Sequence, residues 1–131
     1  MYSNSYNDVW YSVDGTTWTR ATAAADWEKR SSAAVIVFDN KLWVIGGTNP
    51  GSSVYYDDVW YSTDGIDWIA ATRNAEFAAN DSMAVWVMDS SIFIYTQTEN
   101  KVWRSSNGVL DRKSTRLNSS HIEPSRMPSS A

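Results

Sequence analysis

Aromatic and β-branched residues run together at several places in the chain, and each run ends in a polar turn signal. Residues 9–11 and 59–61 both read Val-Trp-Tyr, and an Asp-Gly dipeptide follows each run after two positions. Asp-Gly tolerates the positive φ angles of a tight hairpin, and a second short run begins at Trp18 or Trp68. Each copy therefore predicts a strand, a turn and a strand, which together form a β-hairpin.

The two predicted hairpins are copies of one sequence unit. Ten of fifteen positions are identical between residues 8–22 and residues 58–72. A third, weaker copy follows at residues 102–108, at an offset of 43 positions from the second. Self-similarity at such a period predicts one supersecondary unit that is repeated along the chain.

Continuous apolar runs supply the other half of the unit. Residues 33–38 and 42–45 flank the turn signal Asp39-Asn40, and the same arrangement recurs at residues 83–88 and 92–95. Unbroken apolar runs are typical of strands that are covered on both faces. We expect the second strand to end at Gly46-Gly47, and a loop to follow. The complete copy then has four strands, which we place at residues 33–38, 42–46, 57–62 and 67–71.

A unit of four strands in about 50 residues, with paired glycines after its second strand, is typical of a β-propeller blade. The spacing of these glycines from a Tyr, and of that Tyr from a Trp seven positions later, resembles the kelch motif of galactose-oxidase-like propellers. The residues that carry the likeness are Gly46, Gly47, Tyr11, Trp18, Tyr61 and Trp68. The resemblance implies an all-β fold, a fragment of a kelch-like propeller with about two blades of four-stranded antiparallel meander.

The turns resemble a second known sequence motif. Residues 12–18 are similar to an Asp-box, one residue short, and Asp-boxes lie between the third and fourth strands of blades in sialidase-like propellers. The turn positions are Asp14, Gly15, Asp64 and Gly65. The third copy departs from the kelch pattern, because Gly-Gly is lost and Arg104 replaces Tyr.

The predicted blades divide residues 1–110 unevenly. The division is a half blade at residues 8–20, a full blade at 33–71 and a partial blade at 83–108. Propellers close with typically 4–8 blades, so we expect the remaining blades of a longer parent chain to be partners of this part.

Residues 111–131 do not continue the repeat. Residues 111–121 and 125–131 resemble one reading frame of a common sequencing adapter, and residues 122–124 would be its index. We therefore interpret residues 111–131 as an artefactual tail that is not a domain.

The composition excludes several kinds of catalytic site, metal site and partner. The 131 residues include no Cys and one His, and that His121 lies in the tail. Zinc sites, catalytic triads and the His, Tyr and Cys copper site of galactose-oxidase-like enzymes therefore have no donors in residues 1–110. Those residues hold 7 basic and 13 acidic side chains, a formal charge of −6. With no basic stripe, we expect no nucleic-acid partner.

The chain also lacks the usual membrane signals. No apolar run approaches the roughly 20 residues of a membrane-spanning helix. The first residues lack the basic and then apolar pattern of a signal peptide. We expect no membrane partner, and the compartment is left open.

The repeated Trp and Asp residues have structural explanations. Trp10, Trp60 and Trp103 recur in register, which favours packing between blades over a surface for stacking carbohydrate. Asp14 and Asp64 head the turns, where side-chain to backbone hydrogen bonds account for them. We predict no catalytic residue, no metal site and no cofactor in this part.

In kelch proteins, ligands meet the face formed by the connections between the second and third strands and between blades. Here those connections are residues 48–56, 23–32 and 73–82. The candidate binding residues are Arg30, Tyr55, Arg73 and Asn80. The leading hypothesis is a binding or interaction module of a larger kelch-like propeller, with no catalysis of its own and an unknown protein or carbohydrate ligand. The alternative is part of a carbohydrate-active propeller enzyme, sialidase-like or galactose-oxidase-like, whose active-site residues lie in other blades.

Overall fold

A computed structural model describes residues 5–77, 79 and 83–108, together with the backbone of residues 116–117. The described part contains strands and no helix, and so no helix long and apolar enough to cross a membrane. The strands are β1 (Val9–Tyr11), β2 (Thr19–Thr22), β3 (Ala34–Phe38), β4 (Lys41–Asn49), β5 (Val54–Ser62), β6 (Ile69–Thr72), β7 (Met83–Met88), β8 (Ser91–Thr96), β9 (Lys101–Ser105) and β10 (Arg116–Leu117).

The strands form three antiparallel sheets. The first sheet is the hairpin β1–β2, and the central sheet has the order β3-β4-β5-β6. The third sheet has the order β10-β9-β8-β7. Every pair of neighbours is antiparallel, and in the central sheet the strands follow one another in chain order. This topology confirms the predicted all-β class and is consistent with kelch propeller blades.

The two residues of β10 belong to the predicted tail. Arg116 pairs with Trp103 and Leu117 with Val102, on the edge of β9 that corresponds to the edge of β5 occupied by β6. The rest of residues 111–131 lies outside the described residues. The interpretation of this segment as adapter sequence stays a prediction.

The end of the second strand was predicted wrongly. β4 passes through Gly46-Gly47 and continues to Asn49, and β5 begins at Val54 instead of residue 57. The ladder shifts by one residue between Ile45 and Gly47 and then resumes, because Gly46 lies opposite two residues of β5, Asp57 and Asp58. This irregularity, called here the glycine bulge, does not end the strand. Gly47 has a φ of 104°, and a Cβ there would lie 2.8 Å from the carbonyl oxygen of Ser31. Both the positive φ of Gly47 and the close approach of the Ser31 backbone therefore require glycine.

Side chains of the central sheet alternate between two apolar clusters. Trp43 and Ile45 of β4 belong to one cluster, whereas Val44 packs in the other. The larger cluster joins the central and third sheets, and its most buried members are Trp43, Ile45, Val59, Phe77 and Ile92. The smaller cluster joins the central sheet to the segment between β2 and β3, and consists of Ala25, Trp27, Val44, Trp60 and Trp68. β4 is thus covered on both faces, whereas β3 exposes Val35 and Val37 at 62% and 65%, contrary to the prediction from its unbroken apolar run.

Candidate binding face

The central hairpin projects beyond its bulge. Past Gly46, the pairs Gly47–Tyr56, Thr48–Tyr55 and Asn49–Val54 extend the β4–β5 ladder, whereas β8 ends at Thr96, the position equivalent to Gly46. The Thr48 Oγ1 hydroxyl donates a hydrogen bond of 2.8 Å to the Val54 carbonyl and ties the two strands together. Residues 50–53 at the tip are exposed, and so are Val54 and the predicted binding residue Tyr55, at 40% and 54%. The projection therefore presents apolar and aromatic side chains on an ordered ladder.

Arg30 lies at the base of this projection and is buried. Its guanidinium binds both oxygens of Asp58, at 2.7 and 3.0 Å, and donates 2.9 Å to the Gly46 carbonyl. A further bond of 3.0 Å runs from Nε to the Glu28 carbonyl. Arg30 is only 6% exposed, and its guanidinium N–H groups donate hydrogen bonds to acceptors of the chain itself.

Asp58 is held as a carboxylate by this pairing. Burial by itself would raise the pKa of Asp58, but the hydrogen bonds from Arg30 and Trp60 outweigh burial and lower it below its ordinary value. The Trp60 bond, from Nε1 to Asp58 Oδ2, is 2.8 Å long. Burial raises the pKa of the neighbouring Asp57. A charged Asp58 therefore keeps the ion pair intact under the hairpin.

Arg30 also fixes the base of the projecting hairpin. Its guanidinium carbon lies 4.1 Å from the centroid of the Tyr56 ring, a cation–π arrangement. Tyr56 is in turn the partner of Gly47 across the ladder. One side chain thus connects the segment before β3, the glycine bulge and the start of the projection.

These residues coincide with a known motif. Residues 29–61 match the Kelch motif. The matched range contains Arg30, the glycine bulge, Asp58 and Tyr61, and it confirms the predicted kelch repeat. Kelch repeats generally form non-catalytic interaction modules, commonly with protein partners. A search of the curated proteins found no match for the chain.

The other candidate residues of the kelch face are placed differently. Arg73 is exposed, and its guanidinium carbon lies 4.9 Å from the centroid of the Trp60 ring. Because Trp60 also bonds Asp58, one network runs from Arg30 through Asp58 and Trp60 to Arg73. Tyr55 stands apart from this network on the projecting strand, and Asn80 lies outside the described residues.

The repeated Asp residues serve their turns. The Asp14 carboxylate accepts hydrogen bonds from the backbone N–H groups of Thr16 and Thr17, at 2.9 and 3.0 Å. Asp64 accepts the equivalent bonds from residues 66 and 67, at 2.8 and 3.0 Å. These backbone bonds lower the pKa of both carboxyls. Asp14 and Asp64 thus each bind the backbone of their own turn. No group of three or more His, Cys, Asp or Glu that could hold a metal ion lies among the described residues.

Sequence reasoning missed two parts of this face. Val54 and Tyr56 were assigned to a loop, because Gly46-Gly47 was taken as the end of the strand. The aromatic and β-branched run Val54-Tyr55-Tyr56 carried the missing signal, since such residues favour strands. The ion pair between Arg30 and Asp58 had no sequence signal, because 28 positions separate the two residues.

Proposed function

We propose that this chain is a protein-binding module whose contact surface is the projecting β4–β5 hairpin, with Val54 and Tyr55 as anchors and Arg73 as a flanking cation. The observation that carries the proposal is the extension of the ladder past the glycine bulge, which exposes two apolar side chains on a rigid support. Exposed aromatic residues are enriched where protein partners bind, because they offer a large contact area at low entropic cost.

Three features support this assignment over the other exposed surfaces. The hairpin lies within the range that matches the Kelch motif, a repeat commonly used for protein interactions. Its base is fixed by Arg30, so little conformational entropy is lost when a partner binds the tip. The equivalent connection in the third sheet lacks the projection. The projection therefore distinguishes the central repeat from the third sheet.

The enzyme alternative has less support on this face. Asp58, Asp14 and Asp64 accept hydrogen bonds from the chain's own side chains and backbone, so their carboxylates are engaged in structure. The proposal therefore assigns no catalytic role to them, and it places Arg30 in support of the surface instead of in contact with the partner.

The test compares proteins retained from an extract of the source material by the wild-type chain and by a Tyr55→Ala, Arg73→Ala double variant. We expect a defined set of proteins to be retained by the wild type and reduced at least tenfold by the double variant. Tyr11→Ala is the matched control, because Tyr11 is 53% exposed and lies on a different hairpin. It should retain the same set as the wild type.

Purified candidates from that set are then titrated against the three chains. Equal affinity for the wild type and the double variant would contradict the proposed surface, and so would a loss caused by Tyr11→Ala. A preference for oligosaccharides over every protein in the set would contradict the proposed partner class.

A further inference from the structure

A crevice of about 540 Å³ opens where turns of the central and third sheets meet. Both sheets contribute to its lining, which includes Phe38, Asp39, Val87, Ser90 and Asn107. The β3–β4 turn lies at the Lys41 end of β4, whereas the projecting hairpin begins beyond Gly46 at the other end of that strand. The crevice is therefore separate from the surface of the proposed function. We call it the turn crevice.

One wall of the turn crevice is apolar and firmly supported. Phe38 is 8% exposed and packs on Trp43, with 6.1 Å between the ring centroids. The Trp43 Nε1 donates a hydrogen bond of 2.8 Å to the Phe38 carbonyl and fixes the two residues together. Val87 is 42% exposed, so much of its side chain is in contact with water. An aliphatic side chain that covers this wall removes apolar surface from water, and the wall is already in place to receive it.

The turns around the crevice carry more acidic than basic side chains. The β5–β6 turn lies at the same end of the central sheet as the β3–β4 turn, because Leu42 pairs with Ser62. The charged side chains of these turns and of the adjoining strands are Asp39, Asp64, Asp67 and Asp89, against Lys41 and Arg104. Electrostatic complementarity therefore favours a cationic occupant.

Two equivalent aspartates of the repeat differ in their partners. The Lys41 Nζ lies 3.0 Å from Asp39 Oδ2, so Asp39 already has a cation from the chain itself. At an offset of 50, Asp89 has Ser91 in place of the lysine. Asp89 is exposed and forms no ion pair among the described residues, and the nearby Arg104 donates its Nε hydrogen bond of 3.2 Å to Ser91 Oγ. Asp89 therefore offers its carboxylate to a cation that a partner brings.

We propose that the turn crevice binds a basic segment of a partner protein, in which an aliphatic side chain covers Phe38 and Val87 and an adjacent Lys or Arg binds Asp89. The side chains of Ser90 and Asn107 form hydrogen bonds with the backbone of this segment. An apolar side chain next to a positive charge matches the apolar wall and the open carboxylate of the crevice. Together with the projecting hairpin, the chain then has protein-binding surfaces at both ends of its sheets.

The probe is the capped peptide Gly-Lys-Leu-Lys-Gly, titrated into the full isotope-labelled chain and followed by nuclear magnetic resonance. We expect saturable shifts of the backbone signals of Val87, Ser90 and Asn107. Replacing the leucine by serine should weaken binding about tenfold, because the apolar contact is lost. Replacing both lysines by glutamates should abolish binding. Equal binding of the parent peptide and either control, or no binding of the parent peptide, would overturn the proposal.

Variants of the chain locate the cation. Asp89→Asn removes the charge and keeps the turn, because Asn also tolerates the φ of 53° at this position. Peptide affinity should fall about threefold to fivefold, as for other exposed ion pairs. Asp67→Asn is the matched control, since it removes the same charge from an exposed position in the neighbouring β5–β6 turn, and it should bind as the wild type does. Equal losses in the two variants would overturn the role of Asp89.

Val87→Thr tests the apolar wall, because threonine has nearly the shape of valine and also favours strands. We expect peptide affinity to fall about threefold, whereas Val13→Thr, at a position that is 95% exposed in the β1–β2 turn, should leave it unchanged. Unchanged affinity of Val87→Thr would overturn the role of this wall. Sedimentation of the chain alone tests a different occupant. A dimer that Asp89→Asn dissociates and that the peptide displaces would show that a second copy of the chain fills the crevice, which contradicts the proposed partner.

Discussion

The hairpins β1–β2 and β5–β6 have nearly the same sequence and very different surroundings. Trp10 is 49% exposed, whereas Trp60, at the same position of the repeat, is 3% exposed. Trp18 and Trp68 differ in the same way, at 55% and 6%. The β1–β2 hairpin contacts the rest of the described chain on a small part of its surface, whereas β5–β6 lies within a four-stranded sheet.

The turns of the two hairpins nevertheless have the same geometry. The Gly15 N–H donates to Ser12 Oγ at 2.7 Å, and the Gly65 N–H donates to Ser62 Oγ at the same distance. Side chains within three positions of one another make these bonds, so the sequence of each turn is sufficient to form it. The two copies of the repeat therefore share their local turn structure, but they do not share the burial of their side chains.

The largest contrast is expected for the tryptophans. Trp60→Ala removes a buried ring and its hydrogen bond to Asp58, and we expect the free energy of unfolding to fall by about 5 kcal/mol. Trp10→Ala, in the same sequence context, should cost about 1 kcal/mol or less, because half of the ring is already in water. Urea unfolding monitored by circular dichroism gives both values. Similar losses would show that the two hairpins are equally buried in solution.

The next contrast concerns the aspartates that bond these tryptophans. Asp58→Ala leaves Arg30 buried without its partner, and we expect a loss of about 4 kcal/mol. Among the described residues, the bond that Asp8 accepts comes from the exposed Trp10, so Asp8→Ala should cost about 0.5 kcal/mol or less. Chemical denaturation at neutral pH measures both. A comparable loss in the two variants would rule out a special role for the Arg30 pair.

This ion pair also makes stability depend on pH. The folded-state pKa of Asp58 is lowered, so its contribution is complete above the unfolded pKa of about 4 and is lost as the pH falls through the folded value. Unfolding free energies of the wild type should therefore decrease below about pH 4, and Asp58→Asn should show a weaker decrease. An identical pH profile for both chains would contradict the assignment.

A third contrast uses the turn glycines, all of which have a φ near +80°. A Cβ at Gly15 meets nothing within 4 Å, so Gly15→Ala should cost about 1 kcal/mol through the positive φ alone. Gly108, the same position in the third copy, lies against the ring of Trp43, which is 2% exposed and has little room to move. Gly108→Ala should cost about 3 kcal/mol. Equal melting temperatures for the two variants would show that the Trp43 ring moves to make room for the added Cβ.

The smallest contrast is expected between the turn carboxylates. Asp14 and Asp64 each accept two backbone bonds, which lower the pKa of both groups irrespective of the surroundings of the hairpin. Carboxyl carbon chemical shifts followed by nuclear magnetic resonance should show both groups titrating below their ordinary value. Any stability that they contribute is present above the unfolded pKa and is lost as the pH falls through the folded pKa. An ordinary pKa for Asp14 alone would mean that the turn of the first hairpin is open in solution.

Most strands could be predicted because their signals are local. The apolar run at residues 33–38 and the turn Asp39-Asn40 predict β3 to within one residue. Gly46-Gly47 misled the prediction, because paired glycines permit either a strand end or a bulge. Only the contact of Gly47 with Ser31 decides between the two. The kelch face was predicted in outline, but Arg30 was expected to be a loop residue and is buried beneath that face.

The sequence by itself determined the repeat, the antiparallel hairpins and their turns, since these depend on residues a few positions apart. The tertiary structure decided which copy of each tryptophan is buried and that Arg30 forms its ion pair with Asp58. Trp68 shows the reason, because its backbone N–H donates to Asp26 and its ring packs edge to face on Trp27, some 40 residues away. Trp18, at the same position of the first repeat, has no such neighbours among the described residues. Burial is therefore set by what the fold places opposite a side chain, and similar sequences have different roles in different blades.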